Sequence, residues 1–379
     1  MTLIRLDGLD GTNPLHVLAA FGALLLSDDL DGGGARLGWQ QLPGGFVPRI
    51  ATTTSAVDWC GALAERLRAM SIVKVEDPAA KANVNAQKAT LKKMNEGKKK
   101  LREAIAQEAK SLGLLGPAKK AHGQPRLLAA EAEFCAQKKR VVEAEEALSA
   151  TLGFGPAHLG EVIRVPPQIF RLHARHAIDH DPAAARQLAS LASDGCLEDG
   201  NVTPTHYSFS NGASGKQLLK DFRRLAAMCT AERVQRSVVL GNPDLQVATA
   251  LNWDPADLRS YAHQWNDPGG TKANAKIDVV ANALAYVGLG LMTCFPGRRE
   301  LEAIGFIRRN PGAEFTWPLW DALLPVAVVR ATLAAVASDG FAAGRDAARA
   351  RGLLGVYTAA RINPNKKRNF FAPATPRQQ

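Results

Sequence analysis

A turn leads directly into an apolar helix in the stretch Leu9-Asp10-Gly11-Thr12-Asn13-Pro14-Leu15-His16-Val17-Leu18-Ala19-Ala20-Phe21-Gly22-Ala23-Leu24-Leu25-Leu26. The side-chain oxygen of Asn13 can cap the helix, and Pro14 suits the first helical position, where its missing N–H is no loss. Apolar side chains then recur at three- and four-residue spacing: Leu15, Leu18, Phe21, Leu25 and Leu26. One face of this helix is therefore expected to be buried.

An export signal or a membrane span fits the same stretch less well. One Arg, two Asp and a turn precede the apolar run, and Ser27-Asp28-Asp29 follows it in place of a small-residue cleavage site. Gly22 interrupts the run, which is shorter than the roughly 20 residues of a membrane span. We therefore predict a core helix of a soluble, cytoplasmic protein with no membrane partner.

Charge and cysteine content narrow the class of protein. The chain of 379 residues has a formal net charge of +11 and a pI near 9.5. Such a charge favours a polyanionic partner, either nucleic acid or an anionic membrane surface. The five cysteines are scattered and form no Cys-x-x-Cys pair, so the sequence suggests neither a zinc ribbon nor a disulfide framework. A reducing cytoplasm is the expected compartment.

The patterning predicts a predominantly helical α+β fold, in which small mixed sheets pack against helices. Residues 1–75 are the N-terminal α+β part of the main domain, and residues 76–155 are a basic helical insertion. Residues 156–362 complete the main domain. Residues 363–379 form an extended, basic tail that contains prolines.

Individual elements follow from periodicity and from helix-capping residues. Strands are predicted at residues 36–41, 46–52, 238–240, 246–251, 306–309 and 314–317. Helices are predicted at residues 55–70, where Ser55 is the cap, and at residues 214–236, 278–291 and 324–337. A further helix starts at Asp181-Pro182, whereas residues 196–205, rich in Asp, Gly, Asn and Pro, are predicted to be a loop.

The insertion has the periodicity of two long helices. In the first, apolar residues fall at three- and four-residue intervals once Lys98 and Glu108 take two of the positions: Leu91, Met94, Leu101, Ile105 and Leu112. In the second they repeat every seven residues: Leu127, Phe134, Val141 and Leu148. A connection at residues 113–125 contains several helix breakers. The pattern predicts an antiparallel, coiled-coil-like αα-hairpin arm.

The first helix of this arm and the connection carry most of the surplus charge. Eleven basic residues stand against three acidic ones, a net charge of +8. The second helix instead mixes Glu with Lys. We predict that nucleic acid is contacted by Lys92, Lys93, Lys98, Lys99, Lys100, Lys119 and Lys120. The alternative is a solvated face that only keeps the protein soluble.

A second candidate surface surrounds the loop Ser210-Asn211-Gly212-Ala213-Ser214-Gly215-Lys216. Its free backbone N–H groups, the following helix and Lys216 could converge on a phosphate. It is not a nucleotide-hydrolysing P-loop, because the spacing of its glycines differs and Gln217 follows the lysine. The alternative is a flexible cap before a core helix. Eight further cations are candidates for contact with a phosphate backbone, together with Ser210 and Asn211: Lys220, Arg223, Arg224, Arg308 and Arg309, and the tail cluster Lys366-Lys367-Arg368.

Several short segments, taken in order, carry a family resemblance. They are the opening Thr12-Asn13-Pro14 turn and helix, Tyr207-Ser208-Phe209-Ser210-Asn211-Gly212, Leu251-Asn252-Trp253-Asp254-Pro255, Asn282-Ala283-Leu284-Ala285-Tyr286, Ile304-Gly305-Phe306 and Phe315-Thr316-Trp317-Pro318-Leu319-Trp320. The chain resembles the large-subunit proteins of type I CRISPR surveillance complexes, in particular the type I-G (formerly I-U) group. The matching pieces lie in about the first 70 residues and between about 200 and 325, and residues 75–155 have no counterpart.

The resemblance implies a non-catalytic subunit at one end of a guide RNA. Such a subunit checks the short motif that flanks a DNA target and helps to open the duplex, while base pairing by the guide carries most of the sequence discrimination. The implied partners are guide RNA, target DNA, the backbone and guide-end subunits, and a recruited helicase-nuclease. No metal, cofactor or catalytic residue is expected.

Two other functions are compatible with the sequence. A metal-dependent nuclease or phosphohydrolase could use His173, His176 and His180, whose spacing allows three ligands on one helix, although Arg171 and Arg175 would repel a cation. A scaffold that binds only protein is the other. Aromatic residues could stack bases, but their apolar neighbours favour core packing or subunit contact for Trp253, Tyr261, Trp265, Trp317 and Trp320.

Overall fold

The computed structural model describes residues 1–72, 78–152, 155–209, 217–257, 276–297, 300–308, 312–337, 345–363 and 369–377. They form two compact units: unit 1 is Met1–Ile72 with Gly155–Gln379, and unit 2 is Val73–Phe154. The predominantly helical α+β fold is confirmed. Every strand pair in the described part of the chain is antiparallel, so its sheets are not of the expected mixed kind.

The helices and strands of the described residues are numbered in chain order. The helices are α1 Pro14–Leu30, α2 Ala56–Ser71, α3 Pro78–Ser111, α4 Gly116–Ala121, α5 Gln124–Leu152, α6 Pro167–His180, α7 Pro182–Leu191, α8 Leu218–Ala227, α9 Ala231–Val234, α10 Val279–Gly288, α11 Val326–Ala337 and α12 Arg345–Ala350. The strands are β1 Thr2–Arg5, β2 Arg36–Leu42, β3 Gly45–Thr52, β4 Ala192–Glu198, β5 Asn201–Pro204, β6 Gln246–Val247, β7 Lys276–Ile277, β8 Cys294–Pro296, β9 Leu301–Ala303, β10 Phe306–Arg308, β11 Ala313–Trp320, β12 Leu324–Pro325, β13 Leu353–Ile362, β14 Phe370–Phe371 and β15 Thr375–Pro376. No described helix has the length and apolar character that a membrane crossing requires.

Helix α1 begins as the sequence predicts. Asn13 accepts hydrogen bonds from the backbone N–H groups of Leu15 at 2.9 Å and His16 at 3.5 Å, and Pro14 is the first helical residue. The helix is buried on nearly every side rather than on one face. The reason is that α10 covers one side while β2, β3 and α2 cover others. Helix α1 is therefore the centre of unit 1.

Helices α1 and α10 approach so closely that two glycines are required at their contact. A Cβ atom on Gly22 would lie 1.9 Å from the carbonyl oxygen of Leu284, and one on Gly288 would lie 1.9 Å from that of Leu18. Neither position tolerates even a methyl group without moving the helix axes apart. Asp278 fixes the start of α10, since its carboxylate accepts from the N–H groups of Val280 and Ala281.

Two sheets cover the helical centre of unit 1. The four-stranded sheet has the order β1-β3-β2-β12, and a seven-stranded sheet has the order β14-β13-β11-β10-β9-β8 with β15 paired to β13. Trp320 of β11 joins them to the centre, since its ring stacks on Phe21 at 6.5 Å and its Nε1 donates to Leu37 O at 2.8 Å. Phe370 and Phe371 are buried, so this part of the tail completes the core.

Unit 2 is an antiparallel helical hairpin. Helices α3 and α5 pair along their length, as contacts between Lys88 and Glu145 near one end and between Glu108 and Arg126 near the other show. Ile105 and Val141 of the predicted seams are buried, together with Ala109, whereas Leu112, also predicted in the seam, is 63% exposed at the end of α3. The predicted connection contains the short helix α4.

Three predicted elements differ from the structure. Residues 196–205 form most of the hairpin β4–β5, whose turn residues Asp199 and Gly200 have φ values of 51° and 78°. The helix predicted at residues 214–236 is interrupted, because α8 ends at Ala227 and Thr230 caps the separate α9. The strand predicted at residues 238–240 overlaps a π-helical turn at Gln235–Val239, where Val238 O accepts from Gly8 N at 3.0 Å.

Shorter deviations occur at element ends. The helix predicted at residues 324–337 begins at Val326, because Leu324 and Pro325 pair with β2 instead. Of the strand predicted at residues 246–251, only Gln246 and Val247 pair with a neighbour. These residues all lie in unit 1, where pairing with residues distant in sequence competes with the local preference for helix or strand.

Candidate nucleic-acid interface

Exposed lysines form two rows on the outer face of α3. Lys92 and Lys99 are two helical turns apart, as are Lys93 and Lys100, so each pair is separated by about 10.5 Å along the helix axis. The two rows lie about 100° apart around that axis. All four side chains are exposed, and within the described part of the chain none of them makes an ion pair. We call this set the α3 lysine face.

The α3 lysine face is not uniformly basic, because Glu96 lies between its two rows. Glu103, also exposed, lies on the same side one turn beyond Lys99 and Lys100, so four lysines stand against two carboxylates. A row of like charges without partners costs electrostatic free energy, which an external polyanion would recover. The face therefore has the charge and the accessibility that contact with a phosphate backbone requires.

Lys98 is the exception among the predicted lysines of α3. Its Nζ lies 2.6 Å from the Glu131 carboxylate and 4.1 Å from the centre of the Phe134 ring, and the side chain is only 11% exposed. The hydrogen bond from Lys98 lowers the pKa of Glu131. Lys98 therefore joins α3 to α5 inside the hairpin, and the structure does not present it to a ligand.

The connection between α3 and α5 carries the other two lysines of the arm that are predicted to contact nucleic acid. Lys119 and Lys120 are exposed in the short helix α4. Two leucines that precede them in the same connection are also strongly exposed, Leu112 at 63% and Leu115 at 82%. The tip of the hairpin is thus both basic and apolar.

The cations of α8 differ in their availability. Lys220 pairs with Glu161 at 2.7 Å, and Arg223 donates to Ala157 O at 3.0 Å and Gly160 O at 2.9 Å. Burial lowers the pKa of Arg223, although Tyr286 and Glu161 raise it. Both residues thereby tie the segment at residues 157–161 to α8. Arg224 is exposed and remains a candidate for phosphate contact.

Seven predicted contact residues lie outside the part of the chain that the structure describes. Ser210, Asn211 and Lys216 lie outside the described residues, as do Arg309 and the tail cluster Lys366, Lys367 and Arg368. Only the backbone of Arg308 is described, at the end of β10. The structure therefore brings the α3 lysine face together and leaves these other positions as predictions.

The tryptophans that are described belong to the core. Trp253, Trp317 and Trp320 are essentially fully buried. Each indole N–H has a backbone partner: Trp253 donates to Tyr207 O at 3.0 Å and Trp317 to Gly11 O at 2.8 Å. The prediction of core packing is confirmed for these three, whereas Tyr261 and Trp265 lie outside the described residues.

The three histidines of α6 lie in different environments. His173 is fully buried, and its Nδ1 accepts from Gly155 N at 3.1 Å. His176 and His180 contact each other, with ring centres 4.6 Å apart, on the more exposed side. Nowhere in the described chain do three His, Cys, Asp or Glu residues form a group that could hold a metal ion.

His173 makes the stability of the protein depend on pH. Burial lowers its pKa to about 4, with a smaller contribution from the nearby His158. The unfolded chain therefore binds a proton between about pH 6.5 and pH 4 that the folded chain does not, so stability is complete above this range and falls as the pH drops through it. We expect the free energy of unfolding of the wild type to fall by about 3 kcal/mol between pH 7 and pH 4 because of His173. The His173→Gln variant should not show this fall.

Urea denaturation at pH 7, 5.5 and 4 measures this effect. Burial also lowers the pKa of His16, which acts in the same direction, so the difference between wild type and variant isolates His173. Equal pH dependence in the two proteins would contradict the assignment.

A polar network at the starts of α1 and α10 was not among the predicted sites. His16 Nδ1 accepts from Asp10 N at 3.2 Å, and Asp10 Oδ1 also accepts from Thr12 N at 3.0 Å. Ser237 donates to the Asp278 carboxylate that caps α10. The acidic residues before each apolar run are a sequence signal for these caps. The network holds the two helix starts in place.

The segments that carry the family resemblance meet in unit 1. Asn13 Nδ2 donates to Asp254 Oδ1 at 3.2 Å, and Leu251 N donates to Asn282 Oδ1 at 3.0 Å. Trp317 and Trp253 join further segments through the bonds given above. The chain matches no known protein-family model, and no curated protein is significantly similar to it.

Proposed function

We propose that this protein is a non-catalytic, nucleic-acid-binding subunit of an RNA-guided antiviral surveillance complex, similar to the large subunit of type I-G CRISPR systems. Its partners would be guide RNA, target DNA, the backbone and guide-end subunits, and a recruited helicase-nuclease. Within such a complex the guide selects the sequence by base pairing, and the protein contributes contacts to the backbone and to the target-flanking motif.

One observation carries the proposal, namely the α3 lysine face. The four lysines of α3 are exposed and make no ion pair among the described residues, whereas α5, the second helix of the same hairpin, mixes both signs of charge. Duplex DNA carries one negative charge per about 1.7 Å of its axis, so an extended row of cations can neutralise several phosphates at once. The second support is the ordered series of resembling segments, which lie outside the arm and indicate a particular kind of complex.

Purification of the tagged protein from its native host tests the assignment to a complex. We expect RNA of defined length and several co-purifying subunits, and we expect ribonuclease treatment before capture to reduce their yield. A tagged variant in which Lys92, Lys93, Lys99 and Lys100 are all glutamate is the matched comparison, since it changes only exposed positions. Recovery of the wild-type protein alone, without RNA, would contradict the proposal.

Binding of duplex DNA by the isolated wild-type protein should weaken steeply with salt. If the α3 lysine face neutralises four phosphates, the slope of log K against log salt concentration is about −3.6, and affinity falls roughly 100-fold between 50 and 200 mM salt. Fluorescence anisotropy with a labelled duplex measures the slope. Affinity that does not respond to salt, or no binding at 50 mM salt, would contradict an electrostatic interface.

The two other functions predict different results. A nuclease that uses the α6 histidines would lose activity in a His176→Ala, His180→Ala variant, whereas the proposed subunit would retain antiviral interference. A scaffold that binds only protein would bind its partners equally well after charge reversal of the α3 lysine face.

A further inference from the structure

A cavity of about 670 Å³ lies in unit 1, and none of its lining residues belongs to the candidate interface. It is bordered by the end of α1, by α7 and by the first turn of α11. Its volume lies within the range of about 300 to 1,000 Å³ that is usual for small-molecule sites. Apolar side chains form much of the wall, among them Ile178, Pro182, Ala185 and Val326.

Two arginines contribute to the wall of the cavity. Arg186 forms a two-pronged ion pair with Asp29, with Nη2 3.0 and 2.8 Å from the two carboxylate oxygens. Arg330 donates only from Nη2, to Gly290 O at 3.3 Å, and its Nε is buried without a hydrogen-bond partner among the described residues. Burial and the positive charge of Arg186 both lower the pKa of Arg330.

These contacts leave Arg330 with donors in excess of acceptors. A guanidinium carries five N–H donors in a planar fork that matches the oxygens of a phosphate. The first residues of α11, Val326 and Ala327, also line the cavity, and the positive end of a helix dipole favours an anion there. A phosphate between Arg330 and this helix start would accept from the Nη groups of Arg330, since only Nε is buried without a partner, and would reduce the repulsion between the two arginines.

The rest of the lining indicates the size and character of the ligand. The apolar wall can cover a flat ring or a sugar, and Asp28 provides a carboxylate that can accept from an amino or hydroxyl group. Burial raises the pKa of Asp28, with smaller effects from neighbouring groups. A phosphate at one end and a hydrogen-bond donor at the other are features of a nucleotide.

We propose that this cavity binds a small organic phosphate of nucleotide size, with its phosphate held by Arg330. This site shares no residue with the α3 lysine face and does not depend on the proposed function. Charge reversal of the α3 lysine face therefore leaves ligand binding at the cavity unchanged, and the two proposals can fail independently.

Calorimetric titration of the full chain with adenosine 5′-monophosphate tests the proposal, with adenosine and inorganic phosphate as comparison ligands. We expect saturable binding of the nucleotide that is at least about tenfold tighter than that of either fragment. Arg330→Met should abolish it, whereas Arg66→Met, at an exposed position of α2, should leave it unchanged. A short single-stranded oligonucleotide tests whether the cavity takes a nucleotide that is part of a nucleic-acid strand. It should not compete with the free nucleotide for the cavity.

A second pair of variants avoids any doubt about folding. Ala327 is exposed at the second position of α11, so Ala327→Glu adds a carboxylate at the cavity without removing an internal contact, and Ala327→Gln adds the same bulk without charge. We expect the glutamate variant to lose at least tenfold more affinity than the glutamine variant. The proposal is overturned if the two variants bind equally, if adenosine or inorganic phosphate binds as tightly as the nucleotide, or if the nucleotide does not bind to the wild type.

Discussion

Alanine in place of Gly22 should lower the free energy of unfolding by about 3 kcal/mol. The added methyl group would lie 1.9 Å from Leu284 O, a backbone atom that no side-chain rotation can move away. Helices α1 and α10 would have to separate, which would loosen the packing of the most buried helix in unit 1. Chemical denaturation followed by circular dichroism measures the change, and Gly288→Ala should have an effect of the same size, since its Cβ would lie 1.9 Å from Leu18 O.

Gly61 provides the matched control for this prediction. It lies inside α2, and a Cβ atom there would have no heavy atom of the surroundings within 4 Å. Gly61→Ala should stabilise the protein by about 0.5 to 1 kcal/mol, because alanine loses less backbone entropy in a helix. Equal effects of alanine at positions 22 and 61 would show that α1 and α10 do not cross as closely as described.

Charge reversal of the α3 lysine face should reduce duplex affinity roughly 100-fold or more at 100 mM salt. The variant carries glutamate at Lys92, Lys93, Lys99 and Lys100, which replaces four attractive contacts with repulsive ones. The slope of log K against log salt concentration should also become less negative, by about 3.6. Fluorescence anisotropy over a salt series measures both quantities.

Arginine at the same four positions is the control, since it keeps the charge and should keep the affinity within a few-fold of the wild-type value. Lys98 is left in place in both variants, because its pairing with Glu131 and Phe134 supports the hairpin. The thermal unfolding of both variants should match the wild type. Unchanged affinity in the glutamate variant would show that the arm does not contribute to the interface.

Local signals were sufficient where a capping residue preceded a periodic segment. Asn13, Ser55 and Asp181 each accept a backbone hydrogen bond at the start of a helix, as predicted. The hairpin of unit 2 was likewise predicted, because its seam depends on a repeat within the segment itself and not on distant residues. In both cases the information that specifies the element lies within one or two turns.

Local signals failed where a distant partner or an unrecognised turn determined the structure. The Asp199-Gly200 pair is a strong hairpin signal, and both residues have positive φ. This pair indicates the hairpin β4–β5 rather than the loop that the composition suggested. At residues 238–240 the β-branched pair Val238-Val239 suggested a strand, but the chain forms a helical turn at Gln235–Val239, where Gly8 approaches Ser237 closely. The sequence contains no local record of that contact.

The candidate interface shows the same division. Charge counting identified the arm, but it could not separate Lys98, which points into the hairpin, from Lys99 and Lys100, which point outward. Helical spacing alone places Lys98 among the seam positions, so the signal was present. Nothing in the spacing of α8 indicates that Arg223 is bound by the carbonyl groups of Ala157 and Gly160, which are more than 60 residues away.

The position of α1 at the centre of unit 1 has a consequence for synthesis on the ribosome. Its main partner, α10, begins about 250 residues after α1 ends, and Trp320 lies further still along the chain. At 5 to 20 residues per second, the apolar surface of α1 waits roughly 12 to 50 s for the helix that covers it. We expect this interval, rather than the stability of the finished protein, to govern how much of the newly made chain escapes aggregation and how strongly its yield depends on chaperones.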